Sequence, residues 1–137
     1  MSMYSGVAIA TGGRNCHVES SDGLLKFDLS TPKSMGGPGR EGTTNPEQLF
    51  ACGYAACFGS AVDFVAHQQK IDASGAEVTC EVSIDRNEGG FFLAAKLTVK
   101  LPKLDHAAAQ ALVEAAHQVC PYSKATRGNI EVTLNVV

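Results

Sequence analysis

Two alternating stretches dominate the second half of the chain. Val78, Cys80, Val82 and Ile84 alternate with Thr79, Glu81, Ser83 and Asp85, and Phe91, Leu93, Ala95, Leu97 and Val99 repeat the pattern. Period-two alternation sends apolar side chains to one face of a strand, and Asn87-Glu88-Gly89-Gly90 supplies turn residues between the runs, so the spacing predicts an antiparallel hairpin with one wet face. Downstream, Asp105 caps an Ala-rich helix over His106–Val119 that Pro121 ends, and Ile130, Val132, Leu134 and Val136 predict a last strand. Upstream, residues 4–11, 16–20 and 24–30 predict strands joined by turns at Gly12-Gly13 and Ser21-Asp22-Gly23.

Between these halves the pattern changes twice. Residues 31–45, TPKSMGGPGREGTTN, carry Gly and Pro too densely for a helix or a central strand and predict an exposed, shaped loop. Asn45 then offers an N-cap, Pro46 suits the first turn and Glu47 complements the positive end of a helix. No strong breaker follows before Lys70, so residues 45–70 predict a helix about 39 Å long at 1.5 Å per residue. Residues 49–66 are apolar on nearly every face, which predicts a helix buried all round. They are only 18 residues and include two Gly, a Ser and Asp63, which counts against a membrane span. One sheet and one further helix cover such a helix only in part, so we expect two copies to bury their long helices together in a homodimer. The class is α+β, with antiparallel sheets around a long buried central helix.

With 137 residues, 45% of them hydrophobic, the chain has the size and composition of one folded domain over residues 1–137. A formal charge of −3, with no run of like charges, gives no basic footprint for nucleic acid or an anionic membrane. The first residues, MSMYSGVAIATGG, lack the basic start and apolar run of a secretion signal, so a cytoplasmic location with reduced cysteines is expected. Five cysteines without a CxxC pair argue against a disulfide scaffold and a structural zinc site, and the four histidines have no metal-ligand spacing.

Two of those cysteines stand in distinctive places. Cys57 lies midway along the apolar helix and Cys120 where the second helix ends, directly before Pro121. Free cysteine is commonly a small core residue, which is the plain alternative for both. At a helix C-terminus the negative end of the dipole disfavours a thiolate, so Cys120 suits a resolving role better than an attacking one. Cys57 as nucleophile needs a nearby cation, and Arg14, Arg40 and Arg127 all sit beside Gly-rich turns. Residue chemistry alone leaves the three open.

The segments TGGRN (11–15), MGGPG (35–39), NPEQLFACGYAACF (45–58) and VCPYSKATRGNIEV (119–132) resemble, in order along essentially the whole chain, the organic hydroperoxide resistance branch of the OsmC/Ohr family. The resemblance implies an OsmC/Ohr-like fold, an intertwined homodimer, and a thiol peroxidase that reduces organic hydroperoxides, lipid-derived ones included, to alcohols. It implies recycling by dihydrolipoamide or lipoylated protein, with no bound metal, haem or flavin. By motif position Cys57 resembles the peroxidatic cysteine and Cys120 the resolving one, joined in a disulfide during turnover. Arg14 resembles the arginine that stabilises the thiolate, and Glu47 the acid that orients it. Because family sites form at the dimer interface, Arg14 can serve its own Cys57 or the partner's Cys57.

Glu47 and Cys57 are ten positions apart, about 15 Å along a straight helix, so either Arg14 bridges them or the helix breaks near Gly53. Phe50, Phe58, Phe64 and Met35 would favour a bulky hydroperoxide. Cys52, where the family commonly has Ala, points about 140° away from Cys57 and is read as packing, as is Cys80. Cys16 is read as exposed and unused. Arg40 and Glu41 enter the loop where the family commonly has Gly, Tyr122 and Ser123 are read as shaping either the site or a turn, and Arg127 as pairing or capping structurally. Movement is expected in the 31–45 loop or in the turn carrying Arg14, both Gly-rich and short of buried contacts. The competing readings are a sister-branch peroxidase of broader substrate range and a binding protein with inert cysteines.

Overall fold

A computed structural model describes residues 1–137, which divide into two compact units, Met1–Leu49 and Phe50–Val137. The first holds a three-stranded antiparallel sheet in the order β1 (Ala8–Thr11), β2 (His17–Ser20), β3 (Lys26–Asp28). These strands are shorter than the sequence predicts, because pairing and not propensity ends them: the ladders run only from Ala8↔Ser20 to Thr11↔His17 and from His17↔Asp28 to Glu19↔Lys26. The Gly-rich loop is more tightly held than its composition predicts. It turns through a short 3₁₀ segment, Lys33–Met35, and returns beside β3, where Thr44 N–H donates to the Asp28 carbonyl at 2.9 Å. Arg40 donates from Nη2 to the Leu29 carbonyl at 2.9 Å and from its backbone N–H to Ser30 Oγ, also at 2.9 Å, with Ser30 buried.

Helix α1 (Pro46–Gln69) starts where the sequence marks it, with Asn45 Oδ1 accepting from Gln48 N–H at 2.9 Å. It runs through Gly53 unbroken, so the alternative of a break there is set aside. In the second unit β4 (Glu77–Asn87) and β5 (Gly90–Lys100) form the expected hairpin, and β6 (Glu131–Val136) completes a sheet in the order β4-β5-β6. Here one expectation is corrected: the sheet is mixed, because β6 pairs parallel with β5 from Ala94↔Glu131 to Val99↔Val136. A parallel neighbour requires a crossover, supplied here by α2 (His106–Val119) and α3 (Pro121–Thr126). Helix α3 was not anticipated: Pro121 stops α2 and occupies the first turn of α3, the one helical position where a missing N–H costs nothing.

The core lies in the second unit. Tyr54, Phe58, Val62 and Val65 of α1 pack with Leu97 and Val99 of β5 and with Leu112, Val113 and Ala116 of α2. The inward row of β5 follows the predicted alternation through Ala95, Leu97 and Val99 but fails at the hairpin tip, where Phe91 is 69% exposed beneath the Arg86 guanidinium. Helix α1 is likewise corrected: within the chain it is buried along one stripe, not all round, and Cys52, Ala56, Ser60 and Phe64 are exposed. Asp105 caps α2 by accepting from Ala108 N–H at 2.8 Å. Asp105→Ala is expected to cost about 1 kcal/mol, visible as a melting temperature about 4 °C lower by calorimetry.

Candidate functional site

The four residues singled out fall into two pairs, one in each unit. In the first, Arg14 lies in a 3₁₀ turn, Gly13–Asn15, entered through Gly12 in the left-handed region (φ 72°). A Cβ at Gly12 would come within 2.4 Å of the Cys16 Cβ, so the turn that aims Arg14 requires glycine there. Glu47, in the first turn of α1, receives Arg14 in a two-pronged ion pair, with Nη1 donating to Oε2 at 3.0 Å and Nη2 to Oε1 at 2.5 Å. The side chains are 32% and 12% exposed. The Arg14 hydrogen bond holds the Glu47 carboxyl below its ordinary pKa, and the carboxylate raises that of the guanidinium in turn. The pair therefore forms above the carboxyl's ordinary range and is lost only as pH falls through the depressed value. Two-pronged geometry fixes the plane of a guanidinium as well as its position.

In the second unit Cys57 of α1 and Cys120 meet, Cys120 Sγ lying 3.6 Å from Cys57 Sγ. Both are free thiols. A disulfide needs about 2.05 Å between sulfurs, so the thiols are in contact, an approach of about 1.5 Å short of a bond. Cys120 is 0% exposed, whereas Cys57 reaches a cavity of about 470 Å³ lined also by Ser60, Ala61, Phe64, Val119 and Pro121. Burial pushes the Cys57 thiol pKa up, the Tyr122 backbone N–H pulls it down by hydrogen bonding to the sulfur, and Cys120 pushes it up again. Cys120 also differs from expectation in its setting: it closes α2 and is the N-cap residue of α3, so two helix ends of opposite sign meet at it.

Of the other candidate cations, Arg40 donates to the Leu29 carbonyl and Arg127 to the His117 carbonyl at 2.8 Å, so of pairing and capping Arg127 takes the capping of α2. The aromatic surroundings separate. Phe58 is core, Phe64 lines the Cys57 cavity, Phe50 lines a second cavity of about 380 Å³ with Leu93, Tyr122 and Ile130, and Met35 belongs to the first unit. Cys80, half-buried against the core, has its thiol pushed up to about 11 by burial alone, which suits packing better than reaction. Cys52 and Cys16 are exposed. No three His, Cys, Asp or Glu side chains converge to hold a metal ion.

A buried polar cluster beside the sulfurs escaped the sequence reading. Tyr54 OH lies 2.8 Å from Ser123 Oγ and 3.2 Å from Thr126 Oγ1, and Ser123 Oγ lies 2.8 Å from His117 Nδ1. Phe50, Tyr54 and Tyr122 form an aromatic cluster with centroids 5.8–6.1 Å apart, Phe50 edge-on to both tyrosines and the tyrosines tilted to each other. Gly53 admits Tyr122, whose hydroxyl would stand 2.9 Å from a Cβ at that position. The available signal was Tyr54 itself, because a tyrosine inside an apolar helix needs a partner for its hydroxyl.

Four similarities to known proteins accompany this geometry. Residues 37–135 match the family described as OsmC-like protein. The chain is 50% identical over 135 residues to an organic hydroperoxide resistance protein of Xanthomonas axonopodis pv. citri, covering 98% of this chain and 94% of the other. It is 47% identical over 140 residues to the organic hydroperoxide resistance protein OhrB of Bacillus subtilis, covering 99% of each. Among crystal structures, that of an organic hydroperoxide resistance protein OsmC from Legionella pneumophila matches with a TM-score of 0.94 and 52% identity, over 99% of this chain and 98% of that one.

Proposed function

Because this chain belongs to the OsmC-like family, within its organic hydroperoxide resistance branch, we propose that it is a cysteine-based peroxidase that reduces organic hydroperoxides to alcohols in the response to oxidative stress. The observation that carries this reading is the pair of free thiols 3.6 Å apart, one buried and the other at the wall of a largely apolar cavity. The Cys57 thiolate attacks the distal peroxide oxygen; the O–O bond breaks, the alkoxide takes a proton and leaves as alcohol, and sulfur becomes a sulfenic acid. The Cys120 thiol then attacks that sulfur, the S–S bond forms and water leaves. A dithiol of the lipoyl class, as dihydrolipoamide or on a lipoylated protein, reopens the disulfide by exchange and is itself oxidised.

Arg14 supplies the positive charge that the thiolate and the departing alkoxide need, and Glu47 fixes its orientation. Phe64, Ala61 and Val119 give the cavity the apolar walls that favour an organic over an inorganic peroxide. The protein works in the cytoplasm as a homodimer without a bound metal or cofactor, and has no nucleic-acid or membrane partner. The dimer reading is supported by the unpaired side of α1, where Ala55, Ala56, Gly59 and Ser60 line an open groove of about 670 Å³.

Peptide mapping by mass spectrometry tests the reading. Reduced protein given one equivalent of cumene hydroperoxide is expected to yield a Cys57–Cys120 disulfide and one equivalent of alcohol. Thiols that stay free, or a disulfide joining other cysteines, would return the protein to the binding reading with inert core cysteines.

A further inference from the structure

The two sulfurs sit on backbone segments joined, one helical turn away, by the buried polar cluster. Tyr54 precedes Cys57 by three residues on α1, His117 precedes Cys120 by three on α2, and Ser123 follows Cys120 by three on α3. Thr126 donates to the Ser123 carbonyl at 3.2 Å, so the single Tyr54 hydroxyl proton is left for the nearer Ser123 Oγ. Burial and the Arg127 guanidinium hold the His117 pKa below its ordinary value, favouring the neutral ring. A neutral ring accepting at Nδ1 completes a directed chain in which Tyr54 donates to Ser123 and Ser123 donates to His117. Tyr54 and Ser123 are wholly buried, so water cannot replace either partner at low cost.

We propose that Tyr54, Ser123 and His117 are positioning residues for the resolving step: by fixing α3 and the end of α2 against α1, they hold the Cys120 thiol on the Cys57 sulfur. The inference rests on the peroxidase reading and concerns what becomes of its sulfenic acid. Two reactions compete for that group. In one, the Cys120 thiol displaces water and forms the disulfide; in the other, a second hydroperoxide transfers oxygen, giving sulfinic acid and a second alcohol. The first is intramolecular and depends steeply on placement, since a misplacement near 1 Å can cost about 100-fold. The second depends on hydroperoxide concentration and not on Cys120. The cluster therefore acts on the ratio of the two products, a quantity independent of how fast the sulfenic acid forms.

The test is the ratio of Cys57 sulfinic acid to Cys57–Cys120 disulfide after reduced protein meets excess cumene hydroperoxide, read by mass spectrometry. Tyr54→Phe keeps the ring and its aromatic contacts and deletes one hydroxyl; it is expected to raise the ratio about tenfold, the scale of one lost buried hydrogen bond. Ser123→Ala should raise it similarly, and the double variant no further than the larger single effect, since both break one chain. His117→Asn, which keeps a hydrogen-bonding group near Nδ1, should stay near wild type, whereas His117→Leu should behave like Tyr54→Phe. If the hydroxyl deletions fail to fold, the two His117 variants decide by the same ratio. An unchanged ratio in folded variants, with wild type forming disulfide, overturns the positioning role alone. Wild-type Cys57 forming neither product overturns the peroxidase reading and this inference with it.

Discussion

Cys57→Ser is expected to abolish the burst of one equivalent of alcohol on mixing with cumene hydroperoxide and to lower steady turnover by at least about three orders of magnitude, as expected when the attacking atom itself is removed. Cys120→Ser should keep the burst, because Cys57, the cavity and the Tyr122 N–H remain. It should instead accumulate sulfenic acid, trapped by dimedone, and progress to sulfinic acid in excess oxidant. The asymmetry follows from exposure: Cys120 is wholly buried while Cys57 meets the cavity, so a hydroperoxide reaches one sulfur and not the other. Stopped-flow measurement of both variants distinguishes the roles. A burst retained in Cys57→Ser and lost in Cys120→Ser would exchange the two assignments.

What the sequence revealed and what it hid divide along physical lines. Local signals held: Asn45 and Asp105 cap the helices that follow them, and the alternation of residues 91–99 placed Ala95, Leu97 and Val99 inside. Period two says that a segment is a strand and which face is wet, but not which way its neighbour runs, so the parallel pairing of β6 was invisible. Pro121 reads equally as the end of one helix and the start of another, and only the chain's path shows that it is both. The Tyr54–Ser123 bond spans 69 positions, a separation over which no pattern argues. The pairing of Cys57 with Cys120 came from family resemblance and not from spacing, and the same holds for Arg14 with Glu47. The full burial expected of α1 came from its composition, yet the chain alone covers one stripe of it, and the remainder supplies the argument for a second copy.

The electrostatics of Cys57 generate the second large prediction. Burial comes first among the influences on its thiol and raises the pKa, while the one favourable contact within its unit, the Tyr122 N–H, is a neutral dipole. A thiol in that setting is mostly protonated at neutral pH, so a thiolate peroxidase needs a full positive charge. Arg14 is that charge in the proposed reaction, and Glu47 orders its guanidinium. An opposite charge within hydrogen-bonding range lowers a pKa by about 1–3 units, so Arg14→Ala should raise the Cys57 pKa by that much and lower the rate at neutral pH by about 10- to 1000-fold. The direction in pH follows from the reactive species: the thiolate reacts, so the rising limb of the pH–rate profile moves to higher pH, and the loss shrinks once both proteins are ionised. Arg14→Lys, which keeps the charge but not the two-pronged geometry, should recover part of the rate, and Glu47→Gln should lose less than Arg14→Ala because the cation remains. Rates of Cys57 oxidation measured across pH decide the matter: a uniform drop with no shift of the limb would give Arg14 a role in binding hydroperoxide and remove it from thiolate stabilisation.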